Sequence, residues 1–434
     1  MKNFETGSRE PEEEIPLQEE AGKLQEGLGK KGFIEKHFSE VQTREAPLRG
    51  AKNPEQTRGE TFRFERGQIL KAYKILRKEI RDAEENGEDA APNKNLLKEI
   101  RSRAKILEIN LDKLERQYYE NVKIVNIETE FGKFSVPVVE LDLRKKEEEG
   151  EKGEKKDERI PYFLLGPVAT NYHQSAALSM GLALEGERVL VPAWPEQAMV
   201  GRPDNFGELL KQQEGLKLHK EYAKQTIRQM DLETVNLMGY SMGGAVSLEL
   251  AQDPDFQELR DLIIVEPAGL EEKSLAGIGK DFVLKEGLIK TLPYSEAMIK
   301  TLKQGSRDDT GSLKFLIQDG RILGKKQFDA EKLANIHPKG RYQLWVGTKS
   351  SITDDKTAVR IFLEADELCK QKDPEANPVE IHIAEGGTHG WPSLNSLGFS
   401  RMLKQEKPKE QISTFKISDL ENSAMAGILE DINQ

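Results

Sequence analysis

Cysteine is almost missing from this 434-residue chain, which has Cys369 as its one thiol. An intrachain disulfide is therefore impossible, and so is a zinc site built on several cysteines. Long apolar runs are missing as well. A membrane-spanning helix needs ~20 consecutive apolar residues, and no such run occurs. Residues 1–30 have no basic segment followed by an apolar core, so no secretory signal is read there and a cytoplasmic location is expected. Basic excess is absent. The formal net charge of −11 argues against general nucleic-acid binding, which needs cations to displace phosphate counterions. No P-loop, dinucleotide-binding fingerprint or metal-ligand spacing is present, and neither cofactor nor metal is expected. Large apolar residues are scarce in residues 1–60, which are rich in Glu, Lys, Gly and Gln. A segment of that kind cannot bury enough surface to offset chain entropy, so it is expected to be a disordered tail.

What is present begins with helical periodicity. Ile69, Tyr73, Leu76 and Ile80 form one apolar stripe, and Leu97, Ile100, Ala104, Leu107, Leu111 and Leu114 form another. Spacings of three and four place each stripe on one helix face. NGEDAAPN between them carries turn formers. Residues 61–119 therefore read as a helical hairpin with helices over 64–85 and 94–118. Its stripes need a covering partner: each other, the body of the molecule, or a second copy of the chain in a homo-oligomer. VKIVNIETE and KFSVPVVELDL follow, rich in β-branched residues, and predict a β-hairpin. RKKEEEGEKGEKKDER reads as an exposed charged loop.

From residue 160 short apolar runs alternate with helical patterns. The runs are PYFLLG, ERVLVPAW, TVNLMGYS, LRDLIIVEPAG, RYQLWVGT and VEIHIAEGG. That order predicts an α/β fold with a mostly parallel sheet covered by helices on both faces. The stretch 269–338 is longer than one crossover helix and contains helix-like segments, so it reads as an inserted helical cap. The core then divides into 120–268 and 339–410, with 411–434 as a C-terminal tail.

The strongest chemical signal is Gly239-Tyr240-Ser241-Met242-Gly243. A buried strand precedes it and a helix follows, the context of a nucleophile elbow. Small residues two before and two after the serine let strand and helix approach closely, and the helix N-terminus favours developing negative charge. A serine hydroxyl needs a base to take its proton. His389, on the glycine-rich loop after VEIHIA, can reach across the sheet's carboxyl edge. His382 lies inside the strand pattern and reads as a packed side chain. His37, His173, His219 and His337 have no comparable setting. A third group should orient the imidazole. Asp354, in the loop after RYQLWVG, fits the chain order Ser…Asp…His and is the first choice. Asp355 beside it and Glu266 at the end of LIIVE are rivals, and one of the paired aspartates could instead cap the following helix. The backbone N–H of Met242 is a natural oxyanion donor. Trp194, Met199 and Trp391 are candidates for pocket walls, with core packing as the alternative for each.

GYSMGG, the Asp-bearing loop, EGGTHGW and the strand–helix order together resemble the α/β-hydrolase superfamily over about residues 120–405. The resemblance implies an α/β-hydrolase fold with a cap after the sixth strand, a small-molecule acyl substrate and acyl-enzyme chemistry of the esterase or lipase type. It also implies Val168 as the second oxyanion donor, although Gly166-Pro167 stands where many members have a His-Gly pair. The N-terminal hairpin is outside the core of that fold. A non-catalytic interaction protein on the same fold is the rival reading, since fold alone does not give function.

Overall fold

The computed structural model describes residues 121–143, 159–167, 175–197, 200–274, 310–394, 396–404 and 410–417, with isolated positions between 80 and 117. The tail expected over residues 1–60, most of the helical hairpin, the first part of the cap and Val168 lie outside the described residues.

β-branched sequence becomes strand where expected. β1 (Val122–Thr129) and β2 (Gly132–Leu141) form an antiparallel hairpin in which Val122 faces Val139 and Thr129 faces Gly132. β4 (Val189–Pro192) pairs antiparallel with β2 and parallel with β3 (Tyr162–Leu165). β5 (Val235–Tyr240), β6 (Leu259–Val265), β7 (Tyr342–Gly347) and β8 (Val379–Glu385) continue the sheet in parallel. The order is β1-β2-β4-β3-β5-β6-β7-β8, with a ninth strand beyond β8. β3, β5 and β7 are buried at every position, as strands covered on both faces must be.

β9 (Ile412–Lys416) departs from the sequence reading, which placed it in a C-terminal tail. It pairs parallel with β8 at the sheet's edge, where its residues alternate between exposed and half-buried. An edge strand needs few apolar residues, so ISTFK lacks the signal of a core strand.

Helices follow the strands. They are α1 (Ala176–Leu184), α2 (Phe206–Gln212), α3 (Lys217–Gln229), α4 (Met242–Ala251), α5 (Thr310–Leu323) and α6 (Ala330–Leu333), then α7 (Asp355–Lys372), α8 (Trp391–Leu394) and α9 (Ser396–Lys404). α5 and α6 fall in the region expected to be the cap. No described helix is long and apolar enough to cross a membrane. An aromatic cluster fills the core beside β7. Trp345 stacks on His382 with ring centroids 3.7 Å apart and meets Phe399 edge-on. Two described positions of the segment 61–119 reach this body. Leu114 is fully buried in the core, and Gln117 exchanges hydrogen bonds with the backbone of Asp142.

Candidate active site

The sheet's carboxyl edge gathers three chain segments that are far apart in sequence. β5 ends at Tyr240, and α4 begins at Met242. Ser241 between them has φ 57° and ψ −113°. That is an uncommon conformation for a residue with a Cβ, and it persists only where the surroundings hold it. Its N–H donates to Val265 O at 2.9 Å, and its carbonyl accepts from the Ala268 N–H at 3.2 Å. The flanking glycines are required by contact. A Cβ on Gly243 would lie 2.0 Å from Leu165 O, and one on Gly239 would lie 2.3 Å from Gly243 O. Strand and helix can therefore meet around the serine only without side chains at those positions. The Met242 N–H opens α4, where backbone donors have no partner within the helix.

His389 comes from the loop after β8. Its Nε2 lies 3.0 Å from Ser241 Oγ, and both side chains are buried. The Tyr240 hydroxyl donates to His389 O at 2.5 Å, which ties the histidine loop to the strand carrying the serine.

The carboxylate behind the imidazole is Glu266, not Asp354. Glu266 Oε2 lies 3.6 Å from His389 Nδ1, and Glu266 is completely buried. Oε1 accepts from the Gly347 N–H at 2.6 Å and from Trp391 Nε1 at 2.9 Å. The residue directly follows β6 and has φ 48°. Among the described non-glycine residues, Ser241 and Glu266 are two of three with positive φ, so backbone strain collects on both sides of the histidine. Burial raises the Glu266 carboxyl above its ordinary range, against the opposing pull of His389, Ser350 and Trp391.

Asp354 is engaged elsewhere. It is the N-cap of α7, and its carboxylate accepts from the Thr357 N–H at 2.9 Å. It is exposed. Partial burial raises its carboxyl, but the Thr357 bonds outweigh this and hold it below the usual range. Asp355 is the first residue of α7. The expected choice between the two aspartates thus resolves into capping and helix start.

Sequence reasoning overlooked Ser350, whose Oγ lies 3.3 Å from His389 Nδ1 and accepts from the Thr353 N–H. It stands in the same loop as the aspartates, and nothing local distinguishes it from Ser351. Two expected wall residues do other work. Trp391 holds Glu266. Trp194 is buried and donates from Nε1 to Gly166 O at 3.1 Å, bracing the loop that leaves β3. A cleft opens over Ser241 between Pro267, Ala268, Leu270, Leu323, Ile352 and Thr353.

Eight strands in the order 1-2-4-3-5-6-7-8, a serine elbow after the fifth and a histidine loop after the eighth are now in place. The fold is that of the α/β-hydrolases. No protein-family model matches the chain, and no curated protein matches it. Solved structures similar to it include a bacterial membrane phospholipase A described as a virulence factor, at 13% identity and TM-score 0.45, covering 75% of this chain and 91% of that one. An esterase from Exiguobacterium antarcticum is similar at 15% identity and TM-score 0.46, with 65% and 98% covered. Naproxen esterase from Bacillus subtilis is similar at 12% identity and TM-score 0.42, with 68% and 95% covered.

Proposed function

We propose that this protein is a serine hydrolase that cleaves a carboxylic ester, or a thioester or amide of like shape, through an acyl-enzyme on Ser241. The observation that carries this reading is the 3.0 Å approach of His389 Nε2 to Ser241 Oγ, with a buried carboxylate behind Nδ1. Ser241 Oγ attacks the substrate carbonyl carbon, and its proton passes to His389 Nε2. Glu266 stabilises the imidazolium and holds its tautomer. The oxyanion is met by the Met242 N–H at the start of α4 and by a second donor from the loop after β3, for which Val168 remains the assignment. His389 then gives its proton to the leaving group. Water deprotonated by His389 cleaves the acyl-enzyme, which restores the serine. The apolar walls formed by Pro267, Ala268, Leu270, Leu323 and Ile352 favour an apolar acyl group.

The test is labelling by a fluorophosphonate probe, together with hydrolysis of p-nitrophenyl esters of increasing acyl length. Wild type is expected to label and turn over. Folded Ser241→Ala is expected to do neither, and normal labelling of that variant would remove Ser241 from the mechanism.

A further inference from the structure

A second cluster of ionisable groups lies apart from Ser241. Glu196 stands in the turn after β4, a turn pinned by Arg202 Nη1, which donates to the carbonyl oxygens of Pro195, Glu196 and Gln197. His219 is the third residue of α3 and is completely buried. Asp319 is on α5, in the cap region, with its side chain 3% exposed. His219 Nε2 lies 2.7 Å from Glu196 Oε1 and 3.6 Å from Asp319 Oδ1, and one ligand atom from each residue falls within 4.8 Å of the other two.

A hydrogen bond accounts for the His219–Glu196 pair but not for Asp319 beside it. Asp319 Oδ1 is buried, aimed at His219 Nε2, and has no hydrogen-bond partner. His219 Nδ1 is likewise without one. Among the described residues, no lysine or arginine side chain pairs with either carboxylate of the cluster. Two carboxylates and one imidazole therefore share a buried site with at most one positive charge between them. Burying charge in this way is costly unless it is paired or bound to a metal.

We propose that Glu196, His219 and Asp319 form a binding site for a divalent transition-metal ion, with zinc(II) the best match, that clamps the cap helix α5 to the body. One imidazole and two carboxylates suit zinc among the common divalent ions. Bonds of about 2.0–2.1 Å place tetrahedral ligand atoms about 3.3 Å apart. The His219–Glu196 pair would open slightly, and Asp319 would move in by less than the width of an atom. The site joins three segments, of which α3 and the turn after β4 are also linked by the Tyr222 hydroxyl donating to Ala193 O at 2.7 Å. It is also linked through α5 to one wall of the cleft and through Trp194 to the loop that leaves β3. Leu323, one turn beyond Asp319 on α5, lines the cleft over Ser241. Trp194 packs edge-on against the His219 ring, with centroids 5.8 Å apart, and braces Gly166. The chain's linear pattern hides the site, because its ligands sit on three separate elements with no motif spacing.

The test uses the full chain, stripped with chelator, desalted and titrated with zinc(II) alone. Bound metal is read by mass spectrometry after dialysis, and the melting temperature is read alongside. Wild type is expected to retain about one zinc ion per chain and to melt several degrees higher with zinc than without, by mass action on the folded state. Asp319→Asn keeps the shape of the side chain but removes a charged ligand. It is expected to fold, to bind zinc at least ~10-fold more weakly, and to lose the zinc-dependent shift. His219→Gln removes the nitrogen ligand and serves as the second variant. Zinc binding by wild type no tighter than by Asp319→Asn would overturn the proposal, as would a wild-type melting temperature indifferent to zinc.

Discussion

Glu266→Gln is the sharpest test of how the candidate site is built. The amide has the same size as the carboxylate, and its oxygen can still accept from Gly347 N–H and Trp391 Nε1, the two donors now served by Oε1. The variant should fold, whereas Glu266→Ala would strand both buried donors at ~1–3 kcal/mol each. What changes is the atom that faces His389 Nδ1 across 3.6 Å. The carboxylate oxygen faces Nδ1 and favours the tautomer with hydrogen on Nδ1, which leaves Nε2 free to take the proton of Ser241. An amide NH₂ there donates to Nδ1 and forces the other tautomer, in which Nε2 carries hydrogen and cannot act as base. The lost attraction between carboxylate and imidazolium at that separation is about 5 kcal/mol at an effective dielectric constant of about 20. A fall in kcat of about 10⁴, the effect seen when a triad carboxylate becomes its amide, is about 5.4 kcal/mol of activation free energy. The two figures agree. Asp354→Asn is the control. Asparagine caps helices as well as aspartate does, so ester hydrolysis should stay near the wild-type rate. The assay is kcat and kcat/KM on a p-nitrophenyl ester, with circular dichroism to establish folding. If folded Glu266→Gln stays within ~10-fold of wild type, or if Asp354→Asn loses as much activity, the assignment of the carboxylate is wrong.

Two further predictions concern stability. Partial burial pushes the Asp253 carboxyl up, but Lys224, the Asp255 N–H and Lys220 outweigh this and hold it at about 2, against 3.8 for an unperturbed aspartate. Because the folded value is the lower one, the stabilisation is fully present above 3.8 and is lost as pH falls through about 2. Asp253→Asn should therefore melt below wild type near neutral pH, and the gap should narrow on acidification below pH 3.8. A gap that widens in acid would refute this. Deleting residues 1–60 should leave the melting temperature nearly unchanged, since that segment has little apolar content. Deleting residues 1–118 removes buried Leu114 and the Gln117–Asp142 bonds. Burial of the one side chain is worth ~1.5–3 kcal/mol, and each bond contributes ~0.5–1.5 kcal/mol. Scanning fluorimetry should show a clear loss for the longer deletion, and an unchanged melting temperature would make residues 61–118 an independent appendage.

Local pattern in the chain was enough for the strands of the central sheet, the serine elbow and the histidine loop. Each of these is written within about ten consecutive residues: alternation or a solid apolar run for a strand, and glycines where strand and helix must touch. Gly239 and Gly243 could be read as close-approach positions because the turn itself demands them. The partner of His389 is not written locally. Asp354 and Asp355 had the expected chain order, but Asp354 was also a good helix cap, and capping is a local interaction that forms with its own helix. Glu266 is 123 residues from His389 in the chain, yet β6 lies between β5 and β7, so its end opens onto the same edge. Strand order decided that meeting, and strand order depends on how whole βα units pack. The same holds for Glu196, His219 and Asp319, which no spacing connects. β9 escaped notice because an edge strand is held mainly by backbone hydrogen bonds to β8, which almost any side chains permit.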